Sequence, residues 1–227
     1  MTLHTFSDFE QGSDLWLDSR RGLMTASVVG QLITAKTVKP ASNDYSRALT
    51  LNLVAERITG YTEPVFVSND MFRGTADEPL ARDLYGRHYG VTVEQPGFMT
   101  EDKWGFTLGF SRDGLVVGDD GLIEVKSRRP KKHLSTILAD EVPLENMAQI
   151  QAGLLVSGRA WCDYLSYCGG MPMWRKRVTA DKRWADAIVE AVATFEQVAE
   201  QMVATYQAAV DGLPTTERID YFMEARV

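Results

Sequence analysis

GFSRDGLVVGDDGLIEVKS, residues Gly109–Ser127, decides how this chain is read. Two apolar runs flank Gly118-Asp119-Asp120-Gly121, a cluster of turn formers, so the stretch predicts a β-hairpin. Leu122, Ile123 and Val125 make the second arm a strand, yet Glu124 and Lys126 stand two positions apart inside it. Alternation puts Glu124 and Lys126 on one face and Ile123 and Val125 on the other. Pairing Val117 with Leu122 across the turn sets Leu115 opposite Glu124 and Asp113 opposite Lys126. Directly opposed side chains project to the same face. Two carboxylates and an ammonium are therefore expected on one side of the sheet, in a register that rests on loop length and is open to slippage.

Such a set suits phosphodiester hydrolysis. Asp113 and Glu124 can offer hard oxygens to a divalent metal. A metal-bound water becomes a nucleophile, and a second ion can stabilise the leaving oxygen. Lys126 can orient that water or neutralise charge developing on the phosphorus. The ordinary alternative is a surface hairpin with a cross-strand ion pair, worth under ~1 kcal/mol.

Composition narrows the choices. The chain has 227 residues, 44% hydrophobic and 24% charged, which predicts one packed domain over residues 1–227. No apolar run is long enough to span a bilayer, and the start lacks a signal-peptide layout. The expectation is a cytoplasmic protein with no membrane partner. Cys162 and Cys168 are too few for a disulfide framework, an iron–sulfur cluster or a structural zinc. His4, His88 and His133 show no metal-ligand spacing, so a catalytic metal would use oxygen ligands, as magnesium or manganese does. The net charge of −7 speaks against nucleic acid only as a sum. Lys126, Arg128, Arg129, Lys131 and Lys132 form an acid-free basic lane, and Trp174–Arg177 a second cluster, either of which can also be a solvated face.

The remaining elements read from period and caps. Two short helical pieces open the chain, the second over 25–33 with Thr25 or Ser27 as N-cap. A helix follows with Leu49, Leu53, Val54 and Arg57 at helical spacing, ending at Gly60. Another covers 75–90 with Pro79 in its first turn. Strands are expected in 91–127, a helix over 144–158, then two more strands. A final helix from Asp181 to Asp211 turns Trp184, Ile188, Val192, Phe195, Val198 and Met202 to the core. The sum is an α/β fold with a mixed central sheet flanked by helices.

Asp113, followed at a distance by Glu124-Val125-Lys126, resembles the motif of the PD-(D/E)XK nucleases, although Arg112 stands where the motif has proline. RRGLMTAS (20–27), RGTADEPLA (73–81), GFSRDGLV (109–116), GLIEVKS (121–127) and NMAQIQ (146–151) resemble, in order, blocks of the lambda-exonuclease (YqaJ-like) phage recombination nucleases. That resemblance implies a restriction-endonuclease-like core. It also implies that Glu78 joins Asp113 and Glu124 as a metal ligand, and that Gln149 is the active-site glutamine of the helix after the hairpin. Glu78 can otherwise be a capping-box partner of Thr75, and Gln151 reads as an ordinary solvent-facing residue. The family's pocket for the 5′-terminal phosphate maps onto Arg20, Ser27, Ser111 and Lys132, with Arg21 able to replace Arg20. Met71, just ahead of the Gly74–Ala81 block, matches an apolar strand-separating wedge, and both Met71 and Phe72 can instead be core.

The resemblance implies a Mg²⁺- or Mn²⁺-dependent 5′→3′ exonuclease with two ions. It would degrade one strand of linear double-stranded DNA from 5′-phosphorylated ends, for recombination by single-strand annealing. It further implies a ring-shaped homotrimer, a single-strand annealing protein as partner, and a phage or prophage gene product in a bacterial host cell. Two rivals stand beside it: a Cas4-like end-processing nuclease without an iron–sulfur cluster, and a DNA-binding module without catalysis, which the intact Asp113/Glu124/Lys126 set opposes.

Overall fold

The protein is described as a computed structural model covering residues 3–6, 9, 12–64, 66–94 and 97–219. The predicted hairpin forms from β7 (Gly114–Val116) and β8 (Gly121–Ser127). Its register differs from expectation: Leu115 pairs with Leu122 and Gly114 with Ile123. Val117 falls in the turn, one residue past the strand, with its N–H donating to the Thr92 carbonyl at 2.9 Å on the side of β4 (Val93–Glu94). The slip is two residues, which is one full side-chain period, so every side chain keeps its expected face. Continuing the ladder outward now sets Asp113 against Glu124 rather than Lys126.

β8 is the centre of a five-stranded sheet. Its order is β10 (Trp174–Thr179), β9 (Trp161–Tyr167), β8, β7, β4 (Val93–Glu94). Within this sheet, among the described residues, only the β8–β9 pair is parallel, which requires a crossover. α4 (Pro130–Ala139) and α5 (Leu144–Ser157) supply it. α4 arises where the sequence reads only as basic charge, and Pro130 at its first position is a common helix opening. Gly121 must be glycine, since a Cβ there would lie 2.2 Å from the Trp161 ring. A second, antiparallel sheet joins β1 (His4–Phe6), β5 (Phe98–Glu101) and β6 (Leu108–Ser111).

Burial explains the sheet's two faces. Ile123 and Val125 pack with Val116, Leu165, Ala81 and Tyr85, while Leu122 joins the larger core with Ile150, Leu154, Ile188 and Phe195. The first face is covered by α3 (Asn69–Tyr89), which begins well before the expected start because Ser68 Oγ caps the Met71 N–H. Pro79 is therefore an interior proline, and Thr75 donates its hydroxyl back to the Met71 carbonyl, which removes it as a capping-box partner of Glu78. Contacts to β8 hold the helix through this proline: Arg73 Nε donates to Ser127 Oγ at 2.9 Å, and Ser127 Oγ to Asp77 at 2.6 Å.

The other elements follow their signals closely. α1 (Asp14–Arg20) is capped by Ser13, and α2 (Asp44–Thr59) runs from an Asn43/Ser46 capping box to Gly60 in the left-handed conformation. The 25–33 stretch forms only a 3₁₀ turn at Val29–Leu32 with Val28 at its N-cap, because the Thr25 and Ser27 hydroxyls bind Arg20 instead. β2 (Ile33–Thr34) and β3 (Lys39–Pro40) make a small hairpin after it. α6 (Lys182–Ala209) buries Trp184, Ala187, Ile188, Ala191, Val192, Phe195 and Ala199. Val198 is exposed, since alanines, not counted in the periodicity, occupy the inner stripe. Among the described residues no helix is long and apolar enough to cross a membrane.

Candidate active site

The hairpin faces bring the expected acids and base together. Glu124 is 1% exposed in mid-strand, and the Lys126 ammonium lies 2.5 Å from its Oε1. Lys126 also donates to Gln149 Oε1 of α5 at 3.1 Å, so the glutamine predicted to face this site does so. Asp113 is partly exposed as a residue, but its carboxyl turns inward to accept the Val125 N–H at 2.6 Å. Glu78 arrives from α3 through a shared arginine. Arg82 Nη2 donates to Glu78 Oε1 at 2.6 Å while its Nε donates to the Asp113 carbonyl at 2.8 Å.

The electrostatics record how crowded this place is. Burial, then the charge of Glu124, holds the Asp113 carboxyl well above the usual carboxylate range. Burial likewise raises Glu78, against the opposing pull of Arg82. Burial works against the Lys126 charge, yet Glu124 and Asp113 push its pKa up to about 12. The residues fit a hard divalent cation. Glu124 Oε1 is buried with no hydrogen-bond donor, its ion pair with Lys126 being close but poorly directed. Among the described residues no three His, Cys, Asp or Glu side chains converge as a ready ligand sphere, and Lys126 and Arg82 are ion-paired with Glu124 and Glu78.

Two residues upstream of Asp113, a second cluster forms. Arg20 Nη1 donates to Ser111 Oγ at 3.1 Å, and its Nη2 to Ser27 Oγ at 3.0 Å and Thr25 Oγ1 at 3.3 Å. Burial, partly offset by Glu56, lowers the Arg20 guanidinium to about 10. A desolvated guanidinium among hydroxyls is anion-binding chemistry. Arg21 pairs with Asp18 instead, so Arg20 is the residue this cluster uses. Lys132, on α4, is ion-paired with Glu145, and no hydrogen bond among the described residues ties it to Arg20.

Met71 and Phe72 occupy the first turn of α3, 49% and 72% exposed, so neither is core. Asp70 beside them holds Arg73 and Arg129, which keeps this helix end against the end of β8 that carries Lys126. The basic Trp174–Arg177 cluster is largely spent inside the fold, with Arg175 and Arg177 binding buried Asp163 and Lys176 binding Asp140. Gln151 is buried rather than solvent-facing: its Nε2 donates to the Thr179 carbonyl and its Oε1 accepts the Asp181 N–H, both at 2.9 Å. Sequence reasoning missed Arg82, Thr25 and Trp16. Arg82 had a signal, its position four residues after Glu78 on one helix face. Trp16 had none, because its Nε1 bonds Ser111, 95 residues away.

Residues 15–160 match the model of the YqaJ-like viral recombinase domain. An alkaline exonuclease (LHK-Exo) from Laribacter hongkongensis is similar in structure, with a TM-score of 0.79 and 28% identity over 89% of this chain and 100% of that one. The same enzyme in complex with dAMP matches with a TM-score of 0.79, 29% identity and the same coverage. A phage related exonuclease from Haemophilus somnus 129PT shares the fold at 13% identity, with a TM-score of 0.66 over 81% of this chain and 96% of that one. No curated protein matches the chain significantly.

Proposed function

Because the chain belongs to the YqaJ-like viral recombinase family, we propose that it is a metal-dependent exonuclease acting in DNA recombination. It degrades one strand of linear duplex DNA in the 5′→3′ direction from 5′-phosphorylated ends. The observation that carries this reading is the pairing of two clusters, Asp113/Glu124/Lys126 and Arg20/Ser27/Ser111, joined by one short stretch of chain. The similarity to an alkaline exonuclease solved with dAMP supports it.

Asp113, Glu124 and Glu78 would hold the cation, Mg²⁺ or Mn²⁺ and in our reading two ions. When bound, the metal supplies an activated water and screens charge on the leaving oxygen. The chain's own residues do the rest. Gln149 fixes the Lys126 ammonium, which can point a proton donor at the phosphoryl oxygens. Arg82 holds Glu78 beside the hairpin. Arg20, with Ser27, Ser111 and Lys132, takes the terminal phosphate and so selects the strand end. Met71 stands at an exposed helix start, where an apolar side chain can separate the terminal base pair. A ring-shaped homotrimer around the duplex and a single-strand annealing partner complete the proposal.

The test is a substrate panel with purified protein and Mg²⁺. The duplexes carry 5′-phosphate or 5′-hydroxyl ends, 5′ or 3′ label, and linear or covalently closed form. The expected result is fast loss of 5′ label from phosphorylated linear duplex, slow digestion of hydroxyl ends and intact circles. Cutting of circles, or first release of 3′ label, would overturn the reading.

A further inference from the structure

Ser111 carries an unusual load of donors. An aliphatic hydroxyl has two acceptor lone pairs and one proton to give. Arg20 Nη1 takes one lone pair at 3.1 Å, and the Trp16 indole Nε1–H takes the other at 2.9 Å. With both filled, the Ser111 proton has only one use, which is donation away from Arg20 and Trp16. The indole does a second thing. Trp16 and Arg20 sit four residues apart on α1, and the Arg20 guanidinium lies 4.2 Å from the Trp16 ring centroid. A cation over an aromatic face is stabilised where water is scarce, and burial is the main influence on Arg20.

We infer that Trp16 is a positioning residue of this pocket, which makes Ser111 a one-way donor and holds Arg20 over its ring beside that hydroxyl. The ligand class that answers such a pocket is one that only accepts hydrogen bonds, a terminal phosphate monoester. A 5′-hydroxyl has a proton of its own to place and gains less. The inference deepens the end-recognition reading above and rests on it: Trp16 does not touch the anion but sets how strongly the pocket tells phosphate from hydroxyl.

The test measures kcat and KM on 5′-phosphorylated and 5′-hydroxyl duplexes for wild type, Trp16→Phe, Ser111→Ala and the double variant. Trp16→Phe keeps a ring under Arg20 and withdraws the N–H. It should narrow the phosphate-to-hydroxyl ratio of kcat/KM by about threefold to tenfold, the scale of one ordinary hydrogen bond, mainly through KM. In the Ser111→Ala background the same change should add less than about twofold, because coupled residues are not additive. Trp16→Tyr reads the same ratio should the phenylalanine variant unfold early. An undiminished ratio in the variants overturns the inference, and so does a loss fully additive to that of Ser111→Ala. A wild type that digests both ends equally brings down the end-recognition reading itself, and this inference with it.

Discussion

Replacing Lys126 by methionine withdraws the ammonium from beside Glu124 and Asp113 while keeping the length of the side chain. Its pKa of about 12, against an ordinary 10.5, corresponds to about 2 kcal/mol of net favourable interaction in the folded state. Water still reaches 24% of the side chain, so part of that is screened. About 1–2 kcal/mol is the reasonable expectation. The sign follows from the raised value. The contribution is complete below the unfolded-state pKa of 10.5 and fades as pH rises through about 12. At pH 8 with EDTA, the Lys126→Met variant should therefore melt roughly 2–8 °C below wild type. Its turnover on duplex DNA should fall by at least about a hundredfold. Adding Mg²⁺ should raise its melting temperature more than that of wild type, because the two carboxylates then lack their internal cation. Differential scanning fluorimetry in EDTA and across a Mg²⁺ titration reads both effects. A variant that melts higher than wild type in EDTA, or responds no more strongly to Mg²⁺, would show that Lys126 does not neutralise these carboxylates.

Glu124→Ala and Asp113→Ala should each abolish strand degradation while a gel shift in EDTA still detects duplex binding; a variant that digests at a near-normal rate removes the hairpin from the active site. Met71→Ala should slow digestion of blunt duplexes while sparing ends with a frayed or overhanging 5′ strand, and equal slowing of both would assign Met71 to packing. Gln151→Ala removes the buried amide that ties the Thr179 carbonyl to the Asp181 N–H, so urea unfolding should show a loss of about 1–2 kcal/mol. Its digestion rate per folded molecule should stay close to wild type.

The parts of the fold legible in the sequence are those with strong local signals. Gly60 ends α2 in the left-handed conformation its position required, and the Gly118–Gly121 turn with its alternating arms produced the hairpin. The hairpin register differs by two because loop length does not fix where the two strands leave the ladder: Val117 lies in the turn, and Leu115 pairs with Leu122. Pro79 misled for a similar reason. Its local preference for a helix start lost to the Ser68 cap and to the anchoring of Arg73 and Asp77 on Ser127. Arg20 and Arg21 were indistinguishable as neighbours, and only the fold separates them, by placing Ser111 near one and Asp18 near the other. Gln151 was misjudged because its partners, Thr179 and Asp181, lie past the whole of β9 and most of β10.

Ser111 closes β6 and Asp113 lies in the two-residue link that leads into β7, with a single residue between them. On the proposed assignment, one grips the terminal phosphate and the other serves the bond to be cut. Two residues of chain span at most about 7 Å, and a peptide backbone does not stretch. Arg112, the spacer, is 4% exposed, its guanidinium lodged against the Met99 sulfur. The interval from strand end to cut is thus ruled into the polypeptide itself. The enzyme would need no count of bases to take the same bite each time, because its ruler is covalent.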